Sequence, residues 1–249
     1  MATKCRLSYK FQKPDARDII HLTSTAVTQP TAFSLRPIMA PILDQGSVGD
    51  CVCNAIALVI STMTKTNVNI SRLMLYAVER AMTGTALTVD SGMYIRDGFK
   101  AISKYGVCQE AVWPYVASNF SVLPPLNAFN SSKLFNSYVY TFINQDLTSI
   151  KSALYTNNTP IIFGINVYSS FVSATVTKTG IVPMPNTKTE TLEGGHCVCI
   201  VGYDDSKKWF ICANSWGTSW GDKGYFYMPY AYITDINLAS DLCYLTFTF

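Results

Sequence analysis

Asp44-Gln45-Gly46-Ser47-Val48-Gly49-Asp50-Cys51 runs directly into the apolar segment Val52 to Met63. A loop punctuated by two glycines meets a stretch that is apolar nearly all round, which reads as a buried helix with a cysteine at its start. The first turn of a helix carries free N–H donors and partial positive charge, and this biases a thiol there towards thiolate. Gln45, six residues upstream, offers a side-chain donor to an anion formed beside that sulfur. Asp50 is the expected N-cap. A cysteine in an apolar run is equally an inert core residue, so the junction has to be weighed with the rest of the chain.

A nucleophilic thiol needs a base, and the chain has only two histidines. His21 lies in a polar N-terminal stretch. His196 follows Gly194-Gly195 and opens the strand-like run His196 to Tyr203. Alternation places His196, Val198 and Ile200 on one face and Cys197, Cys199 and Val201 on the other. Then comes Asn214-Ser215-Trp216-Gly217-Thr218-Ser219-Trp220-Gly221. An asparagine oxygen can hold one imidazole nitrogen and leave the other facing a sulfur. An indole two residues on can shield that bond from water.

Composition narrows the alternatives. With 49 % hydrophobic and 14 % charged residues, the chain of 249 residues can bury a sizeable core. The net charge is +3 and the nineteen Lys and Arg are scattered, which argues against a nucleic-acid partner. Met1 to Lys10 lacks the apolar core of a secretory leader, and the longest apolar run, Val52 to Ile60, is broken by Asn54 and too short to span a bilayer. The expectation is a soluble chain with no membrane partner, made in a reducing compartment: the cytoplasm, or the host cytoplasm or virion if the source is viral. Its eight cysteines are then expected as free thiols. A zinc site is not expected, because Cys51 and Cys53 stand about 200° apart on a helix, and Cys197 and Cys199 face away from His196.

Along the chain, residues 1–31 form an arm of mixed polarity, and Phe33 to Pro41 an extended lead-in. Helices are expected over Val52–Thr64, Ile70–Met82 and Tyr94–Tyr105, the last closed by Gly106. A further helix is expected over Leu147–Tyr155. Strands are expected over Ser137–Ile143, Pro160–Tyr168, His196–Tyr203, Trp209–Ala213, Tyr225–Met228 and Leu242–Phe249. A helical half, 32–117, thus precedes a β-rich half, 118–249.

Three separated motifs in this order resemble the papain-like cysteine proteases: Gln45-Gly46-x-x-Gly49-Asp50-Cys51, Gly195-His196-x-Val198-x-x-Val201-Gly202-Tyr203, and Asn214-Ser215-Trp216-Gly217-x-x-Trp220-Gly221-x-x-Gly224-Tyr225. Cys51 and His196 are 145 residues apart, within the family's spacing. Tyr105-Gly106-Val107 and Trp113-Pro114-Tyr115 resemble landmarks between the family's lobes. The resemblance implies an α+β fold of two lobes, one helical and one barrel-like in β-structure, with the active site in the cleft between them. It implies Cys51 as nucleophile, His196 as proton carrier, Asn214 as its orienting partner, Trp216 as its indole cover, and Gln45 with the Cys51 N–H as oxyanion donors. Polypeptide substrate is expected to meet Gly92, Met93, Gly195 and Trp216, its backbone pairing near Gly92-Met93 and Gly195 and Met93 walling an apolar pocket. No cofactor and no metal are implied.

Three positions depart from the family pattern. Val52 stands where the family has an aromatic residue, Val48 where secreted relatives have a disulfide-bonded cysteine, and Asp50 where the family has serine. The arm is shorter than the family's propeptides, as in compact bacterial, archaeal and large-DNA-virus relatives. Two readings of it stay open. Residues 1–31 either pad the β-rich lobe or lie in the cleft, where Cys5 could reach Cys51. Two functions follow: a cysteine endopeptidase acting through a thioester, or a catalytically silent or autoinhibited peptide-binding relative.

Overall fold

The computed structural model describes residues 6–23, 28–64, 69–132 and 138–247. The apolar run after Cys51 forms α1 (Cys51–Thr64), and its residues Cys51 to Thr62 are all buried. No face of this helix meets solvent over that length, which is why its sequence shows no amphipathic period. It is flanked by α2 (Arg72–Met82), N-capped by Ser71, and α3 (Ile95–Tyr105). Gly106 ends α3 at φ 71° and its N–H caps Ile102 O, a left-handed stop that glycine adopts without a Cβ clash. Two arginines of α2 are buried: Arg72 and Arg80 are 5 % and 0 % exposed. Arg80 donates to the carbonyls of Leu87, Val89 and Phe120 and thereby holds the two loops that follow.

The second half builds, with one strand from before α1, an antiparallel sheet of seven strands: β1 (Ala32–Ser34), β2 (Tyr138–Phe142), β3 (Ile161–Tyr168), β4 (Leu192–Asp204), β5 (Trp209–Ala213), β6 (Tyr225–Pro229) and β7 (Ala239–Phe247). Its order is β2-β7-β3-β4-β5-β6, with β1 added to β4. The sheet is open, with β2 and β6 at its edges, and stands beside the helical half in the α+β fold that the resemblance implied. Short helices α4 (Leu126–Asn130), α6 (Ala174–Thr179) and α7 (Tyr230–Thr234), and the longer α5 (Leu147–Asn157), fill the connections. β1 lies in the stretch expected to open the helical half, yet it pairs with β4, Phe33 opposite Tyr203. The two halves meet where α1 packs on β4, and one continuous core runs through both. The seven described cysteines are unpaired and buried. Among the described residues, no helix is long and apolar enough to cross a membrane.

Candidate active site

Cys51 is the first residue of α1, so its thiol stands at the helix N-terminus. The loop before it is fixed from several sides. The Gln45 N–H donates to Ser215 O at 2.9 Å, Gln45 Oε1 accepts from Ser215 Oγ at 2.7 Å, and Gln45 O accepts from Tyr115 Oη at 2.9 Å. The Gly49 N–H donates to both carboxylate oxygens of Asp90 at 3.1 Å. Gln45 Nε2 is left pointing at Val48 O, 2.9 Å, and at Arg6 O, 3.5 Å.

His196 comes from β4, paired with Ile165 of β3. Its Nε2 is 2.8 Å from Asn214 Oδ1, and the Ser215 N–H donates to that same oxygen at 2.8 Å. An atom that accepts an amide N–H is the side-chain oxygen, so Nε2 is the protonated nitrogen of the neutral ring. Nδ1 is buried and has no hydrogen-bond partner among the described residues, which leaves it as the free acceptor. Trp216 stacks on the imidazole at 4.8 Å and 24°, and is itself held edge-on by Phe171 and Trp220. On the other side, the backbone of Cys197, next to His196, lies close enough to the Cys51 sulfur to oppose the rise of its pKa. The structure thus brings the Cys51 thiol to the strand segment that bears His196, with Asn214 and Trp216 on that imidazole.

Residues 6–12 lie along the cleft. The Tyr9 N–H donates to Gly195 O at 3.0 Å on the β side, and the Lys10 N–H to Met93 O at 3.2 Å on the helical side. Ser8 Oγ donates to Gly49 O at 2.8 Å, and Arg6 pairs with Asp90 at 3.3 Å. A side chain at Gly92 would overlap the Ser8 carbonyl, and one at Gly195 would meet Tyr9 O at 2.5 Å. Of the residues expected to bind peptide, Gly92 and Gly195 therefore face the arm with bare backbone. Met93 offers only its carbonyl. Its side chain is fully buried, with Sδ 3.2 Å from Cys53 Sγ. Trp216 contacts His196. The contact between Cys5 and Cys51 raised from the sequence lies outside the described residues.

Under the arm, Cys51 and His196 are 1 % and 0 % exposed. Burial pushes the Cys51 thiol up to about 12; the Cys197 backbone opposes this and the Asp50 charge adds to it. Burial pushes His196 down to about 4, against the hydrogen bond to Asn214. In the covered site both groups are neutral at pH 7, where the helix-start reading alone expected a thiolate. Desolvation outweighs the field of the helix end.

Asp50 is fully buried behind the thiol. Its Oδ1 accepts from Tyr115 Oη and Asn54 Nδ2, both at 2.9 Å, and burial raises its pKa to about 7 against the Tyr115 bond and Arg72. Arg72 donates to Asn54 Oδ1 at 2.7 Å and Asp44 O at 3.0 Å, and is held by Glu110 and the Tyr115 ring. Arg72, Asn54, Ser215 and Asp90 went unassigned in the sequence. The one available signal was Asn54, the lone polar break in the apolar run.

Comparison with known proteins places this arrangement among relatives. A family model described as "Papain family cysteine protease" matches residues 29–246. An "uncharacterized peptidase C1-like protein L477" of Acanthamoeba polyphaga mimivirus is 42 % identical over 242 residues, covering 92 % of this chain and 75 % of that protein. "Cysteine proteinase 1" of Entamoeba histolytica is 28 % identical over 132 residues, covering 52 % of this chain and 39 % of its own length. Among solved structures, xylellain, a cysteine protease from Xylella fastidiosa, superposes with a TM-score of 0.90 at 33 % identity, covering 100 % of this chain and 98 % of its own.

Proposed function

The chain belongs to the papain family of cysteine proteases, and on that premise we propose that it is an endopeptidase in which Cys51, His196, Asn214 and Gln45 carry the chemistry and the arm restrains the cleft. The observation that carries this reading is the polarity of His196. Asn214 holds Nε2 and leaves Nδ1 as a free acceptor, on the strand segment that also contacts the thiol.

Nδ1 takes the thiol proton, and the sulfur adds to the carbonyl carbon of the scissile bond. The carbonyl oxygen becomes an anion, faced by Gln45 Nε2–H and the Cys51 N–H. Collapse of the adduct breaks the C–N bond, the imidazolium gives its proton to the departing amine, and a thioester remains. Water adds to that thioester, losing its proton to Nδ1. A second collapse releases the carboxylic acid product and returns the proton to sulfur. Asn214 keeps the ring oriented through every transfer, and Trp216 keeps water off their bond.

Two features support restraint by the arm. The reacting groups are almost without exposure beneath it. Arg6 O also sits 3.5 Å from Gln45 Nε2, where the oxyanion would lie. Displacing the arm hydrates both groups and brings their pKa values towards each other.

The test uses the full-length chain and its Tyr9→Ala variant, first with a thiol-directed peptidyl epoxide and then with a mixed peptide library. Labelling at Cys51 is expected to be slow in the parent, faster in Tyr9→Ala and absent in His196→Ala, with cleavage at internal bonds. Trimming confined to peptide ends would reassign the activity to an exopeptidase. A parent and a Tyr9→Ala variant that neither label nor cleave would sink the enzyme reading.

A further inference from the structure

Tyr76 and Arg80 stand one turn apart on the same face of α2, and both are fully buried. The Arg80 guanidinium lies over the Tyr76 ring at 4.0 Å and donates to the carbonyls of Leu87 and Val89. One buried side chain thus fixes both the phenol and the loop that brings Asp90 to it.

Asp90 Oδ1 accepts from Tyr76 Oη at 2.5 Å and from the Gly49 N–H at 3.1 Å. The Tyr76 hydroxyl, its proton directed at that carboxylate, accepts the Gly92 N–H at 2.9 Å. A hydroxyl has one proton and two lone pairs, so it serves both at once. A hydrogen-bonded chain therefore runs from the Gly49 N–H through Asp90 and Tyr76 to the Gly92 N–H. One end lies two residues before Cys51, and the other is the backbone expected to meet substrate. Both ends need glycine: a Cβ at Gly49 would lie 2.7 Å from Asp90 Oδ1, and Gly92 takes φ 66°.

Arg6 of the arm also reaches this carboxylate, 3.3 Å from Oδ2, but its side chain is more than half exposed. A pair of that kind contributes little, and it leaves with the arm. Gly49, Tyr76 and Gly92 stay, so the chain of bonds outlasts the restraint.

We propose that Asp90 and Tyr76 are positioning residues, which hold the peptide leading into Cys51 and the Gly92 backbone at a fixed separation and so set a bound peptide's scissile carbonyl against the thiol. The inference rests on the peptidase reading and deepens it. Misplacing reacting atoms by about 1 Å can cost on the order of 10²-fold in rate, so the link is read in kinetics. Its two halves differ. Gly92 meets substrate in ground state and transition state alike, so loosening it raises KM. Gly49 leads into the Cys51 N–H, which acts on the oxyanion, so loosening it lowers kcat.

The variants are made in the full-length Tyr9→Ala chain, where the arm is loosened, and assayed on one internally cleaved peptide. Tyr76→Phe keeps the ring and the bond between Asp90 and Gly49. It is expected to raise KM about fivefold or more while kcat changes less than about threefold. Asp90→Ala removes both bonds and is expected to lower kcat about tenfold to hundredfold. Asp90→Asn keeps an oxygen in the Oδ1 place, which accepts both bonds, and is expected to recover most of that loss. Arg6→Ala removes only the pair with the arm and should not reproduce the Asp90→Ala loss. An unchanged KM in Tyr76→Phe, an Asp90→Asn as slow as Asp90→Ala, or an Arg6→Ala that matches Asp90→Ala overturns the proposal. Amide exchange of Gly49 and Gly92, read by NMR, answers independently of turnover. The Gly92 amide should exchange about fivefold or more faster in Tyr76→Phe with Gly49 unchanged, and Gly49 should become faster in Asp90→Ala. An unchanged Gly92 amide in Tyr76→Phe overturns the proposal as well. Absence of cleavage in every variant counts against the peptidase reading, and the exchange data still decide the link.

Discussion

Asp50 and Gln45 flank the thiol in sequence and play opposite parts in the structure. Asp50 is buried with one carboxylate oxygen lacking a partner among the described residues, and its pKa rises from 3.8 to about 7. A carboxyl raised in the folded state binds more protons folded than unfolded between those values, so its contribution to stability is lost as pH rises from 3.8 to 7. Asp50→Asn keeps an acceptor for Tyr115 and removes the charge. It is expected to gain up to about 4 kcal/mol over the parent at pH 8 and nothing below pH 4, read from urea unfolding at both pH values. An equal difference at both would refute the assignment. Because the Asp50 charge also raises the thiol, the pH midpoint for labelling Cys51 should move down in the same variant. Gln45 has its oxygen and backbone held by Ser215 and Tyr115, so its Nε2 is aimed before substrate arrives. Gln45→Ala is expected to lower kcat/KM by about 3 kcal/mol of transition-state stabilisation, mostly in kcat. A loss confined to KM would argue for a binding role instead.

Among the elements, β3 and β7 line the pocket that holds Tyr9, and α1 and β4 carry the candidate reacting groups. The long elements were legible because each carries a helical period, an unbroken apolar run or a β-rich apolar pattern. α1 differs from its expected span only by including Cys51, and β5 matches its expected span, Trp209–Ala213. The short helices α4, α6 and α7 have five or six residues and too few turns for any period to show. The register shift in β7, where Asp241 takes φ 58°, has no sequence signature either, since Asp241 is neither glycine nor asparagine. Gly164 makes this element testable. Gly164→Ala puts a methyl where the Tyr9 ring lies, on a strand whose backbone accepts alanine. The ring is expected to leave, so Cys51 should label faster with the epoxide while thermal stability changes little. Unchanged labelling would mean that the ring does not hold the arm in place.

The whole molecule is closed by a segment that belongs to neither half. Beyond Tyr9 and Lys10, the arm continues past Gln12, whose Oε1 accepts the Arg96 N–H at 3.0 Å, to Asp18, which pairs with Arg96 at 2.6 Å with both side chains near one-tenth exposed. It then joins the sheet at Ile20, bridged to Phe142, and at His21, 3.1 Å from Tyr244 Oη. Removing one partner of a mostly buried ion pair leaves the other uncompensated. Asp18→Ala is therefore expected to cost about 3 kcal/mol, whereas Asp18→Ala with Arg96→Met should recover part of that loss. Denaturant midpoints of both variants check the pair, and a double variant worse than the single would contradict it.

The sequence by itself determined the order of the long elements and the identity of the candidate chemical groups. Cys51 at a helix start, a choice of only two histidines, and Asn214 eighteen residues after His196 are local facts, and local spacing survives in the chain as written. The tertiary structure alone decided that Cys51 and His196 sit neutral beneath residues 6–12, and that Asp241 closes the pocket Tyr9 fills. Desolvation and register depend on which distant segments cover a group, and those segments lie some 40 to 230 positions away from the groups they cover.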